Sequence, residues 1–594
     1  MELFVKSKFS ARSRVYSFNF LMLFLTAFSA FGQTTKQKPA LETLVTIRFS
    51  NERTGSVLNN MSQQAGFSFS YNPAIVDPDK LISGNFQNKP VREVLNTIFS
   101  GKLEYRERKS YVIIQKAKEL SKPADKIEFY TFSGYTRTDK GSSVPWVSVF
   151  DKASLESTVS NDYGFYRIRI SEKLLPLTLN FTKQGFTDTT IMLTRETTLY
   201  NNIILQPVKL NPPTVNYEIL SDSAENTVAT FFKQFNDDPN DLNIKDTLTR
   251  KYQVSFLPYV GTNLKLSGNV INEYSFNIFG GISMGTSKME LGGFFNIDKS
   301  DVRGLQIAGF TNLDGGNFKG LQLAGFINLV RKNVSGVQLA GFANINPGSY
   351  NGIQLSGFVN ASMDSVSGIQ GAGFCNIAGK SMKGTQASGF INIVADTLSG
   401  MQIGFINVAK HLNGTQLGFL NLSKSTSGVP IGFLSYVNHG YHKLEISADE
   451  VFPLNIAVRT GVNVFHNILT AGMDPASGDS LIWNFGYGLG TSLKLSNKTF
   501  LDLDLTSSQI VEGNSFDAIN LLNKFYIGID TKLVKKCSLA FGITMNGQLT
   551  KATYTNYPEQ FSWYKPNIFY DESWTSDNTR LQMWFGAKAA LRFF

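Results

Sequence analysis

Near the end of the chain Leu581, Met583, Phe585, Ala587, Ala589, Leu591 and Phe593 occupy every second position, with Gln582, Lys588 and Arg592 between them. Side chains of a strand point alternately to opposite faces, so this stretch predicts a β-strand with one apolar and one polar face. The same alternation runs through 454–464, 482–495, 500–507, 524–533 and 538–549, separated by polar loops, and predicts a series of antiparallel strands. Beyond the amino-terminal leader no segment is an uninterrupted apolar run of the roughly 20 residues that a membrane helix needs. If this chain crosses a membrane, strands must do it.

Ahead of these strands the pattern becomes a repeat, Gly-h-Gln-h-Ala/Ser-Gly-Phe-h-Asn-h, with h mostly apolar. It begins at Gly304, Gly320, Gly336, Gly352, Gly368 and Gly384 with a period of 16 residues, and after Gly400 the period falls to 14, at Gly414 and Gly428. A degenerate copy precedes them, in which Gly293, Phe294 and Asn296 match and Glu290 replaces Gln. In the copy from Gly320, strict alternation sends Leu321, Leu323, Gly325, Ile327 and Leu329 one way and Gln322, Ala324, Phe326 and Asn328 the other. Each copy therefore reads as one strand of about ten residues, the length of a tilted transmembrane strand, plus a connection of about six.

Two architectures hold such a repeat over 288–437. A parallel β-solenoid would stack Gln306, Gln322, Gln338 and Gln354 in one ladder and Asn312, Asn328, Asn344 and Asn360 in another. An antiparallel barrel wall would use the same amides as hydrogen-bond pairs filling the lumen, a role favoured for them over ligand binding. Charges such as Arg331, Lys332 and Asp364 fall in the connections, and a water-facing solenoid has no reason to keep charge off its strands. That favours a large antiparallel barrel over 251–594, of about 20 strands. Gln402 and Phe405 are three apart where Gln386 and Phe390 are four apart, so a bulge before Phe is expected in the short copies.

The final strand, apolar outward and ending in Phe, resembles the carboxyl-terminal assembly signal of outer-membrane barrels, with Phe594 one residue past the apolar face. The repeat resembles that of bacterial proteins described as carrying surface repeats.

The amino-terminal part has different periods. In 43–118 short alternating runs, 45–49 and 67–71, flank a helical spacing at Val57, Leu58, Met61 and Ala65, and Val91, Val94, Leu95 and Ile98 repeat that spacing after Lys89-Pro90. The order, with Gln64-Ala65-Gly66-Phe67-Ser68-Phe69-Ser70-Tyr71 and Lys89-Pro90-Val91-Arg92-Glu93-Val94-Leu95, resembles the secretin and TonB short amino-terminal domain. That resemblance implies a periplasmic location and a protein partner, in some receptors at the inner membrane. It makes the strand edge and the face around Phe67, Phe69 and Tyr71 candidate partner contacts, with core packing the competing role for both Phe.

Residues 127–208 read as a small β-sandwich. Val144-Pro145-Trp146-Val147-Ser148-Val149 and Ser160-Asn161-Asp162-Tyr163-Gly164-Phe165-Tyr166 resemble the carboxypeptidase regulatory-like domain that precedes many Bacteroidetes outer-membrane receptors and carries no catalysis. A polar linker, 209–250, follows, with a helix expected at 224–235. It is too short for the plug domain of a TonB-dependent receptor.

Composition and charge narrow the class. Gly is 51 of 594 residues, aromatics are 13% and charged residues 17%, with 48 Phe against 5 Trp, as in a barrel with aromatic girdles. Residues 1–32 read as a secretory signal peptide: Lys6, Lys8, Arg12 and Arg14 precede an apolar run and Ala30-Phe31-Gly32, with the mature chain starting at Gln33. The net charge of +10 includes +3 from that leader and forms no Lys/Arg stripe, so nucleic acid is not implied.

Cys375 and Cys537 read as small apolar residues. His439 and His442 are three apart in a Gly-containing turn with no Cys or carboxylate pair nearby, and neither they nor His411 and His466 sit in a nucleophile motif. No cofactor is expected. The leading reading is a non-enzymatic outer-membrane protein, lipid around its barrel and its amino-terminal domains in the periplasm with a protein partner. The alternatives are a plugless pore for small solutes and, third, a hydrolase using His439 or His442.

Overall fold

The computed structural model describes residues 39–100, 103–108, 110–116, 129–208, 238–477, 481–513, 519–551, 566–574, 576 and 578–594. The leader and the helix expected at 224–235 lie outside them. The chain is mostly β and divides into two compact units, 1–303 and 304–594.

The first unit opens with an α/β layer. Leu44–Arg53 pairs antiparallel with Leu81–Pro90, and a second sheet has the order Ser68–Tyr71, Tyr111–Lys116, Leu103–Arg108. The helices Thr54–Ala65 and Val91–Ile98 put Val57, Leu58, Met61, Val94 and Leu95 into a core with Ile47, Phe49 and Val112. Gly66, at φ +74°, ends the first helix in the left-handed conformation that glycine takes without strain.

A sandwich follows, its four-stranded sheet (148–193) facing a three-stranded one (129–204) across Val147, Val149, Tyr166, Ile168 and Phe181. Its 161–165 turn is held by Asn161 Oδ1, which accepts from the N–H of Tyr163 and of Phe165. The unit ends in stacked parallel strands, Leu248–Leu257 on Val270–Asn277 and Val270–Asn277 on Gly285–Gly292. Phe150 and Leu155 of the sandwich share a buried cluster with Ile244, Leu248, Leu266 and Val270 at the start of that stack.

In the second unit the repeat is a parallel β-solenoid and not a barrel wall. Each long copy contains two strands, as in Val334–Ala340 and Ala343–Asn346, separated by a corner at Gly341-Phe342. Every strand lies parallel on the same strand of the next copy, with Gly336 on Gly352, Gln338 on Gln354 and Asn344 on Asn360. The barrel expectation failed because Gly-Phe, read as mid-strand, is where the chain turns. The expected bulge is not needed for the same reason: short copies lose a residue at this corner, with a strand ending at Ile403, the corner at Gly404-Phe405 and the next strand starting at Ile406.

Three columns make the coil close-packed, one of Gly, one of Gln and one of Asn. Gly320, Gly336, Gly352, Gly368, Gly384, Gly400 and Gly414 all have φ between 128° and 150°, and a Cβ on any of them would lie 1.9–2.0 Å from the carbonyl oxygen of the glycine one copy earlier. Inside, each Gln Nε2 donates to the Gln of the preceding copy, from Gln322 onto Gln306 at 2.6 Å to Gln416 onto Gln402 at 2.8 Å. Each Asn Nδ2 donates instead to the following copy, from Asn312 onto Asn328 at 2.9 Å to Asn407 onto Asn421 at 3.0 Å. A second donation, as from Asn328 to Leu339 O at 2.9 Å, fixes which way each Asn amide points.

The remaining strands close an antiparallel barrel of eight, correcting the expected 20 or so: Tyr441–Asp449, Leu454–Val462, Phe465–Asp474, Ile482–Lys494, Thr499–Glu512, Asn520–Val534, Cys537–Lys551 and Thr579–Phe593. The last pairs with the first, Leu591 on Ile446. A shorter strand, Ile568–Trp574, pairs with the other half of the last one.

Candidate functional site

The barrel's alternation sorts its charges inward. Glu445, Arg459, Asp502, Asp504, Asp530 and Arg592 come from five different strands and are all buried. Arg592 donates from Nε to Glu445 Oε2 at 2.7 Å and from Nη1 to Asp530 at 2.9 Å and to Asp502. Arg459 donates to the same Glu445 oxygen at 2.9 Å and grips Asp504 with both terminal nitrogens, at 2.9 and 2.6 Å. Lys588 Nζ stands 2.5 Å from the other oxygen of Glu445. Arg459 also donates to His466 Nε2 at 3.2 Å, which requires that nitrogen to be unprotonated.

At the other end of the lumen the turn between the first two strands folds inward. Val451 and Phe452 pack there with Ile482, Ile510, Leu522 and Trp584. Beside them Lys524 pairs with Asp449, and Glu450 accepts from Asn546 Nδ2 at 2.6 Å. An eight-stranded barrel has an interior just wide enough for side chains, and here a charged layer and an apolar layer occupy it.

The outer face has the opposite character. Leu505 is 59%, Ile543 62% and Phe585 60% exposed, with Ile456, Phe485, Ile527 and Phe541 beside them. Charge inside and apolar side chains outside invert the order of a water-soluble protein and match that of a barrel set in lipid. No helix among the described residues is long and apolar enough to cross a membrane.

The last coil of the solenoid is fixed to this outer face. Asn467, on the wall, donates to Gly432 O at 2.6 Å and accepts from the N–H of Ser435 at 2.7 Å, while Thr460 Oγ1 donates to Ser435 O at 3.0 Å. Phe433 stacks on Tyr487 with ring centroids 4.5 Å apart.

In the amino-terminal module Phe67 is buried in the α/β core and packs edge-on against Phe69, 5.0 Å away. Phe69 and Tyr71 lie half-buried against the same core. They belong to Ser68–Tyr71, which among the described residues pairs on one side only, with Tyr111–Lys116. Core packing thus accounts for Phe67, and the other edge of Ser68–Tyr71 is unpaired among the described residues.

The α/β layer and the sandwich meet at a buried polar contact that the sequence did not disclose. Tyr135 OH donates to Glu42 Oε2 at 3.0 Å, Arg92 Nε holds the other oxygen at 2.9 Å, and Arg137 pairs with Glu93. Burial, reinforced by the Glu42 charge, holds the Tyr135 phenol well above its ordinary range, so it stays a donor. Tyr135→Phe leaves one oxygen of Glu42, a side chain only 1% exposed, without this partner. A loss of about 1–3 kcal/mol is expected for the module, read as an earlier urea transition with the barrel transition unmoved.

The repeat amides Gln306, Gln322, Gln338, Gln354, Asn312, Asn328, Asn344 and Asn360 are buried in the solenoid and not in a barrel lumen. His442 Nε2 lies 2.5 Å from Val437 O, and the His439 N–H donates to Lys424 O. Among the described residues no group of three His, Cys, Asp or Glu is placed to hold a metal ion. No family model, curated protein or solved structure matches this chain.

Proposed function

We propose that this chain is a non-enzymatic outer-membrane protein whose barrel is an anchor and whose amino-terminal module engages a protein partner in the periplasm. The observation that carries the reading is the inverted barrel, with paired charges packed in its lumen and Leu505, Ile543 and Phe585 on its outer wall. The module's part rests on its resemblance to the secretin and TonB short domain and to the regulatory-like sandwich, and on the open edge at Ser68–Tyr71.

The filled lumen favours an anchor over a pore. Purified full-length protein is expected to migrate faster on a gel before heating than after it, and to leave a planar bilayer silent. Stable single-channel steps would instead support the solute pore. In cells, a photocrosslinker at Ser70 is expected to capture a periplasmic or inner-membrane protein, and labelling of that position by a reagent confined to the cell surface would overturn the topology.

A further inference from the structure

The stack from Gly304 to Val437 is unlike a solenoid that stands in water. At each corner a Phe is laid outward on the Phe of the next copy: Phe326, Phe342, Phe358, Phe374, Phe390, Phe405, Phe419 and Phe433 form a column with successive centroids 4.8–5.9 Å apart. Phe358, Phe374, Phe390, Phe405, Phe419 and Phe433 each remain 39–47% exposed. Alongside, two outward positions of the longer strand are mostly apolar, with Leu321, Ile353 and Ile369 at one and Leu355, Ile403 and Ile431 at the other, 37–45% exposed. Single exposed apolar residues are ordinary, but a continuous Phe column over nine copies, flanked by outward Leu and Ile interrupted at Gly371, Thr385, Ala387 and Thr415, is a patch far beyond that.

The place where the Phe column ends says what covers it. Its last ring, Phe433, stacks on Tyr487, which lies on the outer wall of the barrel between Phe485 and Leu489. Tyr487 is seven residues in from the end of its strand at Lys494. A tilted strand rises roughly 18 Å over that length, so the contact is on the wall and not at its rim. The Phe column and the apolar outer wall of the barrel are therefore one continuous surface.

Charge agrees: 304–437 carries Lys319, Arg331, Lys332, Lys380, Lys383, Lys410 and Lys424 against only Asp314, Asp364 and Asp396, and these residues lie away from the Gly-Phe corners. An apolar face bordered by cations is the pattern of a protein surface that lies in a membrane interface.

We infer that the solenoid lies along the membrane, its Phe column and the outward Leu and Ile beside it seated in the phospholipid of the leaflet at the barrel end that carries the turns 463–464, 495–498 and 535–536. This rests on the reading of the barrel as membrane-embedded, and the test separates the two. In the full chain carrying Cys375→Ala and Cys537→Ser, single cysteines replace Phe358, Phe390 or Phe419 on the column. Ile527 on the barrel wall and Lys140 in an exposed turn of the sandwich serve as references. Each is labelled with a nitroxide and reconstituted in phosphatidylethanolamine–phosphatidylglycerol vesicles, and barrel folding is checked by heat-modifiable migration.

The column nitroxides are expected to relax with dissolved oxygen and to resist a water-soluble nickel chelate, as Ile527 does and Lys140 does not. Nickel access at the column with Ile527 protected would overturn the inference and leave the barrel reading standing. Nickel access at Ile527 would overturn both. Protection of the column from both reagents would mean that protein covers it, a second copy or another segment, and would also overturn the inference. The unaltered chain supplies a second measurement: a phospholipid bearing a photoactivated diazirine in its acyl chain is expected to label peptides from 350–433 as well as barrel peptides. Labelling of barrel peptides alone would count against lipid on the solenoid.

Discussion

Arg592→Met is expected to lower the unfolding free energy of the barrel by about 3–5 kcal/mol, the cost of removing one partner from a buried ion pair. The guanidinium faces Glu445, Asp502 and Asp530 at once, and all four side chains are 6% exposed or less. Without it Glu445 keeps Arg459 and Lys588, but Asp502 and Asp530 both lose the one guanidinium nitrogen they share and are left with Lys443, which makes no ion pair with either. Their mutual repulsion and lost solvation, rather than a lost strand contact, drive the effect. Neutralising both in Arg592→Met/Asp502→Asn/Asp530→Asn is therefore expected to recover most of the stability, and the urea midpoint of heat-modifiable migration reads it. An unchanged midpoint in the single variant would mean that water reaches these carboxylates, against a packed lumen.

The second large effect is expected at Gly352→Ala. The residue sits at φ +134°, outside the range of L side chains, and its new Cβ would stand 1.9 Å from Gly336 O. Backbone on one side and the same column on the other leave nothing that can swing away, so the two copies must separate, at about 3 kcal/mol or more. Gly371→Ala is the matched control one copy on: its Cβ would meet only the flexible end of Leu355 at 2.7 Å, and its φ is not positive. Limited proteolysis of the full chain is expected to cut within 336–368 in Gly352→Ala and to leave Gly371→Ala like the parent.

What the sequence disclosed followed the strength of its periods. The final strand was readable residue by residue, because Leu581 to Phe593 alternates without interruption and the same alternation puts Arg592 in the lumen and Leu591 on the wall. The strands Tyr441–Asp449 and Phe465–Asp474 were not placed, since His442 and Asn467 put polar groups on the outer face where the solenoid meets the barrel. Of the two architectures the repeat allows, the structure has the solenoid, the alternative, and not the barrel wall that the charge-free segments favour. Alternation assigned Phe326 to the face of Gln322 and Asn328, whereas the chain turns at Gly325-Phe326, keeps both amides inside and lays the ring outward.

The absence of charge from the repeat's ten-residue segments points to lipid around a barrel only if those segments are the strands. The observed strands begin earlier than expected and include Lys319 and Lys383. The lumen network was visible in principle: Glu445, Arg459, Asp502, Asp504, Asp530 and Lys588 all fall on the polar parity of their strands, and counting charge on that parity would have found them.

The two amide ladders bear on how long such a stack can grow. An aligned column of side-chain amides is a row of dipoles whose fields add, and a single ladder would build up opposite partial charges at its two ends as copies accumulate. Gln donors point toward the start of the chain and Asn donors toward its end, so each further copy adds one dipole of each sense and their fields oppose. The ends are finished once, whatever the length: Gln306 donates into the Asp314 carboxylate at 2.9 Å, and Pro430 stops the Gln column beside Gln416. A gene encoding this repeat can thus gain or lose whole copies without changing the electrostatics at either end, which leaves the span of the stack free to vary while the barrel stays the same.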